Sequence, residues 1–201
     1  MPTLSQGRKL VKLARKAIWS FFKKEKLDFS EEKEEFSESK GVFVTLYTYP
    51  KKELRGCIGF PYPILPLAEA VVQAARAAAF SDPRFFPLKE EELEKIVIEI
   101  SILTKPEQIK STGTRIPEDI KIGKDGLIIE FLGHSGLLLP QVAVELKLKA
   151  LDFLRAVCNK AGLPSEAWLD PRAKIYKFQA QVFSETRPKG KVIEKKVHRK
   201  T

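Results

Sequence analysis

The eight residues Ile96-Val97-Ile98-Glu99-Ile100-Ser101-Ile102-Leu103 constrain this chain more than any other segment. A run so apolar and so rich in β-branched residues, yet too short for a buried helix, reads as a central strand covered on both faces. Other strands gather around it. Gly41 to Tyr49 alternates and closes at Pro50-Lys51-Lys52, so a second strand starting near Leu54 makes a hairpin. Leu127 to Phe131, a turn at Gly133-His134-Ser135-Gly136 and Leu137 to Leu139 make another, and Ile175 to Phe183 reads as a closing strand. Between them lie helical patterns. Leu10, Leu13, Ala14, Ala17, Ile18 and Phe21 form one face of an amphipathic helix from about Ser5 to Lys26, and Leu67 to Phe80 is an alanine-rich helix. Lys89 to Lys95 is a short helix with three glutamates in its first turn, and a further helical stretch follows Pro140 as far as Gly162. Strand and helix do not alternate as β-α-β. The expected fold is α+β, a mainly antiparallel sheet flanked by helices, in one domain over 1–186 with a small second lobe at about 124–168 and a charged tail at 187–201.

Composition narrows the class. With 201 residues and 43% hydrophobic content, the chain can bury a sizeable core without disulfide or metal staples. Charged residues at 31%, with one methionine and one asparagine, give a thermophile-like profile. No apolar run reaches the roughly 20 residues that span a membrane, and the N-terminal stretch lacks a signal-peptide core, so a cytoplasmic protein is expected. The net charge of +10 is unevenly placed: residues 1–27 carry +7, residues 187–201 carry +6, and the body between is −3. Basic charge confined to the termini argues poorly for a folded nucleic-acid groove. RNA binding through those termini is therefore the alternative, in a non-catalytic accessory protein.

Chemistry concentrates in Leu54-Arg55-Gly56-Cys57-Ile58-Gly59-Phe60-Pro61. Cys57 lies between Gly56 and Gly59 with Arg55 two residues upstream, at the expected passage from strand to loop. A nearby guanidinium would favour the thiolate, making Cys57 a candidate nucleophile. The plainer reading is a small buried hydrophobe between tight-turn glycines. Arg84, between Pro83 and Phe85, is either an ion-pair anchor or a ligand clamp. His134 is a candidate base for Cys57, and Asp125 and Gln141 complete the candidate ligand contacts. Cys158 sits among helical apolar positions and reads as packing, and the two cysteines form neither a disulfide framework nor a C-x-x-C site. His198, in the tail, is not a credible ligand. No phosphate-binding loop, dinucleotide fingerprint or zinc-protease motif occurs, so no cofactor is designated and no metal site is assigned.

Four ordered blocks resemble the AMMECR family: the Cys57 motif, Ser81-Asp82-Pro83-Arg84-Phe85-Phe86-Pro87-Leu88 with the strand at Ile96, Ile122-Gly123-Lys124-Asp125-Gly126-Leu127, and Leu138-Leu139-Pro140-Gln141-Val142. Together they cover about residues 8 to 186. The resemblance implies an intracellular α+β domain without an assigned activity or cofactor. It also implies a pathway shared with a Memo-like protein and a radical SAM enzyme as candidate partners. One position departs from the pattern: Asp125 stands where the family commonly has histidine.

Overall fold

A computed structural model describes residues 1–196, and His198 lies outside them. The chain divides into two compact units, Met1–Leu103 with Gln181–Lys195, and Thr104–Ala180. The second unit is thus larger than the lobe expected at 124–168. The fold class is the expected α+β: every pairing named below is antiparallel.

In the first unit, α1 (Leu4–Lys23) begins with a capping box in which Thr3 and Gln6 satisfy each other's backbone N–H groups. It ends where Lys24 turns left-handed at φ 54°. An acidic stretch after it forms a short helix, α2 (Ser30–Glu35). The hairpin β1 (Gly41–Thr48) and β2 (Leu54–Phe60) follows, then α3 (Leu67–Phe80) and β3 (Ile96–Leu103). β1 lies between β2 and β3. Alternation assigns the two faces. Val42, Val44 and Leu46 of β1 and Ile98, Ile100 and Ile102 of β3 join Leu10, Val71 and Ala75 of α1 and α3 in one buried cluster. Thr45, Glu99 and Ser101 face the other way. All eight residues of β3 are buried, as a central strand requires.

In the second unit, β5 (Asp125–Phe131) and β6 (His134–Leu138) form a hairpin across Leu132-Gly133, both at positive φ. β5 also pairs with the first half of β7 (Lys174–Glu185), whose other edge takes β4 (Glu107–Gln108). Between β6 and β7 come α4 (Pro140–Glu145) and α5 (Ala150–Lys160). Phe153, Leu154, Val157 and Cys158 of α5 pack on Leu127, Ile129 and Ile175. Cys158 is packing, as expected, and both cysteines are free thiols.

The C-terminal segment departs from its reading as a tail. Val192–Lys195 form β8, which pairs with Val182–Glu185 of β7 in the first unit. Val192 is 5% exposed and enters the core cluster. One apolar anchor plus four paired residues hold a stretch whose composition is otherwise that of a solvated tail.

A polar row on the sheet face of the first unit

Cys57 lies within β2, not at its end. The helix-side neighbour explains why. A Cβ on Gly56 would stand 2.1 Å from the carbonyl oxygen of Ala78 in α3, so the strand runs against the helix backbone where no side chain fits. Two residues on, a Cβ at Gly59 would lie 2.2 Å from the Val42 carbonyl and 2.5 Å from Phe43 Cγ. Both glycines serve close packing, which is the structural reading of the motif.

With Gly56 under the helix, Cys57 faces the opposite side of the sheet. There it pairs with Thr45 of β1, which pairs with Glu99 of β3. A thiol, a hydroxyl and a carboxylate thus lie side by side in register. The Thr45 hydroxyl donates to Cys57 Sγ at 3.3 Å. Ser101, two residues beyond Glu99 and so on the same face, is 1% exposed, and its Oγ has no hydrogen-bond partner among the described residues. Lys195 of β8 donates to Glu99 Oε2.

The backbone of Cys57 is held by the second family block. Its N–H donates to Asp82 Oδ2 at 2.8 Å, and its carbonyl accepts from Arg84 at 3.1 Å. Arg84 also grips Asp82 through Nε at 2.9 Å and NH2 at 2.7 Å. Hydrogen bonding from Arg84 holds the Asp82 carboxyl down to about 2, with the Cys57 N–H adding to it. Arg84 is thus engaged by Asp82 and the Cys57 carbonyl.

Arg55 is engaged elsewhere. Its Nε and NH2 donate to the two oxygens of Glu92 at 2.8 and 3.0 Å, and this bond lowers the Glu92 carboxyl below its usual range. The expected activation of the thiol does not follow. Burial pushes the Cys57 thiol up, against the opposing effects of the Thr45 hydrogen bond and the Arg84 charge, while Asp82 and Glu99 raise it further. Its surroundings therefore disfavour the thiolate.

The remaining candidates belong to the second unit. Asp125 is buried, and its Oδ2 accepts from the Lys121 N–H at 2.9 Å, closing the turn before β5. His134 is exposed at the start of β6. Gln141, in the first turn of α4, has an Oε1 that is buried without a partner among the described residues. Residue-level reading missed Thr45, Asp82, Glu99, Ser101 and Lys195. Glu99 and Ser101 had a signal, as two polar residues in the most apolar strand. Thr45 had none beyond alternation, and Lys195 none.

An antiparallel α+β fold in two units, with Cys57, Thr45 and Glu99 in register across three strands of the first, defines the class. The chain belongs to the AMMECR1 family, whose model matches residues 11–183. It is 50% identical over 196 residues to Protein MJ0810 of Methanocaldococcus jannaschii, covering 97% of this chain and 98% of that one. A protein of Aquifex aeolicus is 48% identical, with 92% and 95% covered. The crystal structure of uncharacterized protein PH0010 from Pyrococcus horikoshii superposes with a TM-score of 0.90 at 48% identity, over 96% of this chain and 97% of that one.

Proposed function

We propose that this AMMECR1-family protein binds a small polar molecule on the sheet face that carries Cys57, with the thiol acting as a neutral contact. The observation that carries this reading is the in-register row Cys57, Thr45 and Glu99, with the buried, unpartnered Ser101 hydroxyl beside it. A buried hydroxyl without a hydrogen bond costs roughly 1–3 kcal/mol, and the buried Glu99 carboxylate beside it is met only by the half-exposed Lys195 among the described residues. Such groups persist where a ligand uses them. Gly56 and Gly59 let β2 pack closely, while Asp82 and Arg84 hold the Cys57 backbone and Arg55 braces the strand on Glu92.

The alternative of RNA held by the basic N-terminal helix gains little support. Lys9 pairs with Glu35, Lys16 with Glu32 and Lys23 with Glu90, so much of that face is already matched by carboxylates. No described helix is long and apolar enough to cross a membrane.

A thermal-shift screen of small polar metabolites on the wild type, Ser101→Ala and Cys57→Ser tests the proposal. Compounds that raise the wild-type melting temperature are expected to lose that effect in Ser101→Ala and keep most of it in Cys57→Ser. Compounds that act equally on Ser101→Ala would overturn the ligand-binding reading. A covalent adduct at Cys57 formed at neutral pH would replace it with a thiol-dependent enzyme.

A further inference from the structure

Resting on that reading, we infer that the ligand presents a cationic nitrogen, as an alkylammonium or guanidinium group, and that Lys195 fills its place in the free protein. Hydrogen-bonding polarity carries the argument. Glu99 is an acceptor only. The Thr45 hydroxyl spends its proton on Cys57 Sγ and offers lone pairs, and the Ser101 hydroxyl is free to accept or to donate. A buried carboxylate on the same sheet face as the Thr45 lone pairs favours a group that donates through N–H and carries positive charge. An anionic ligand would meet Glu99 and be repelled.

Lys195 shows what such a group looks like in place. Its ammonium donates to Glu99, whose residue is 4% exposed, and stands 5.8 Å from the centre of the Tyr47 ring. A carboxylate with an aromatic face nearby is a usual setting for an ammonium. Yet the lysine is loosely committed. Its side chain is 46% exposed, and it ends a four-residue strand that pairs with β7. A flexible four-carbon stem on a short edge strand can withdraw without disturbing the helix-side core. Lys195 thus acts as a tethered competitor: an incoming cation must displace its ammonium from Glu99. A ligand of this kind binds at an affinity reduced by the fraction of time the lysine occupies the carboxylate.

The experiment is chemical rescue. Lys195→Met keeps the length and apolar stem of the side chain and removes the ammonium. Its melting temperature, with that of the wild type and of the Lys195→Met/Glu99→Gln double variant, is measured with n-propylammonium chloride and with sodium chloride at equal ionic strength. Propylammonium is expected to raise Lys195→Met by about 2–4 °C, the shift that 1 kcal/mol gives a domain of this size, and to leave the other two unchanged. No shift in Lys195→Met beyond that of sodium chloride, or equal shifts in all three proteins, would overturn the inference. Neutral or anionic compounds whose effect depends on Ser101 would, in that event, keep the ligand-binding reading standing without it.

Discussion

The tripeptide Asp-Pro-Arg occurs twice, at Asp82-Pro83-Arg84 in the first unit and at Asp170-Pro171-Arg172 in the second. Both copies close the same ring. The arginine N–H donates to Oδ1 at 3.1 Å in one and 2.9 Å in the other, Nε donates to the same oxygen at 2.9 and 3.0 Å, and NH2 reaches Oδ2 at 2.7 and 2.8 Å. Each guanidinium centre lies 5.5 Å from a phenylalanine ring, Phe85 or Phe131, and each aspartate is held down to about 2, chiefly by its arginine. Surroundings separate them. The Asp82 side chain is 2% exposed and also binds the Cys57 backbone, whereas the Asp170 side chain is 27% exposed and its hydrogen bonds run to Arg172. Three residues dictate the ring, and burial decides whether it anchors anything beyond itself.

Removing each carboxylate gives the largest test of this contrast. Asp82→Ala is expected to cost about 2–4 kcal/mol, because it strands the Cys57 N–H and leaves Arg84 uncompensated. Asp170→Ala is expected to change stability far less, since exposed pairs contribute little. Urea unfolding of both variants decides, and equal losses would break the comparison.

Acid sharpens it. A carboxyl held near 2 against an ordinary 3.8 contributes stability that is present above pH 4 and disappears as the pH falls toward 2. With an allowance for the half-exposed Arg84, Asp82 should account for roughly 1–2 kcal/mol of acid sensitivity in that window. Unfolding free energy followed from pH 5 to pH 2 should therefore fall less steeply in Asp82→Asn than in the wild type, with Asp170→Asn close to the wild type.

Replacing the fork by a point charge is milder. Arg84→Lys should lose about 1 kcal/mol with the bidentate geometry and the bond to the Cys57 carbonyl, while Arg172→Lys should stay close to the wild type by thermal melting. The smallest effect is on Cys57 itself. Iodoacetamide labelling of the wild type should be slow at neutral pH and climb only above the ordinary thiol range, with buried Cys158 slower still, as read by peptide mass spectrometry. Fast labelling of Cys57 at pH 7 would mean that its surroundings stabilise the thiolate after all.

Strand patterning made the antiparallel α+β fold, both hairpins and the central position of β3 legible, because alternation and β-branched runs are local properties. The candidate site was legible only in part. Cys57 and Arg84 stand out as residues, but their meeting depends on Asp82, which alone in the sequence reads as a helix stop. Arg55 beside a cysteine suggests thiolate chemistry until Glu92 is seen to take both of its donors. Gly56 and Gly59 suggest a turned, open backbone, when what they permit is contact. β8 was hidden because seven basic residues from Arg187 onward outweigh the single buried valine that docks it.

The absence of room at Gly56 bears on how genetic variation in this protein is interpreted. A methyl group there must move either the backbone of β2 or that of α3, so an alanine variant is expected to lower the amount of folded protein before it alters anything the thiol does. Loss of activity in a cell carrying such a change would report abundance, and a role for the neighbouring cysteine is better judged from Thr45, Glu99 and Ser101, where a side chain can be altered without wedging strand from helix.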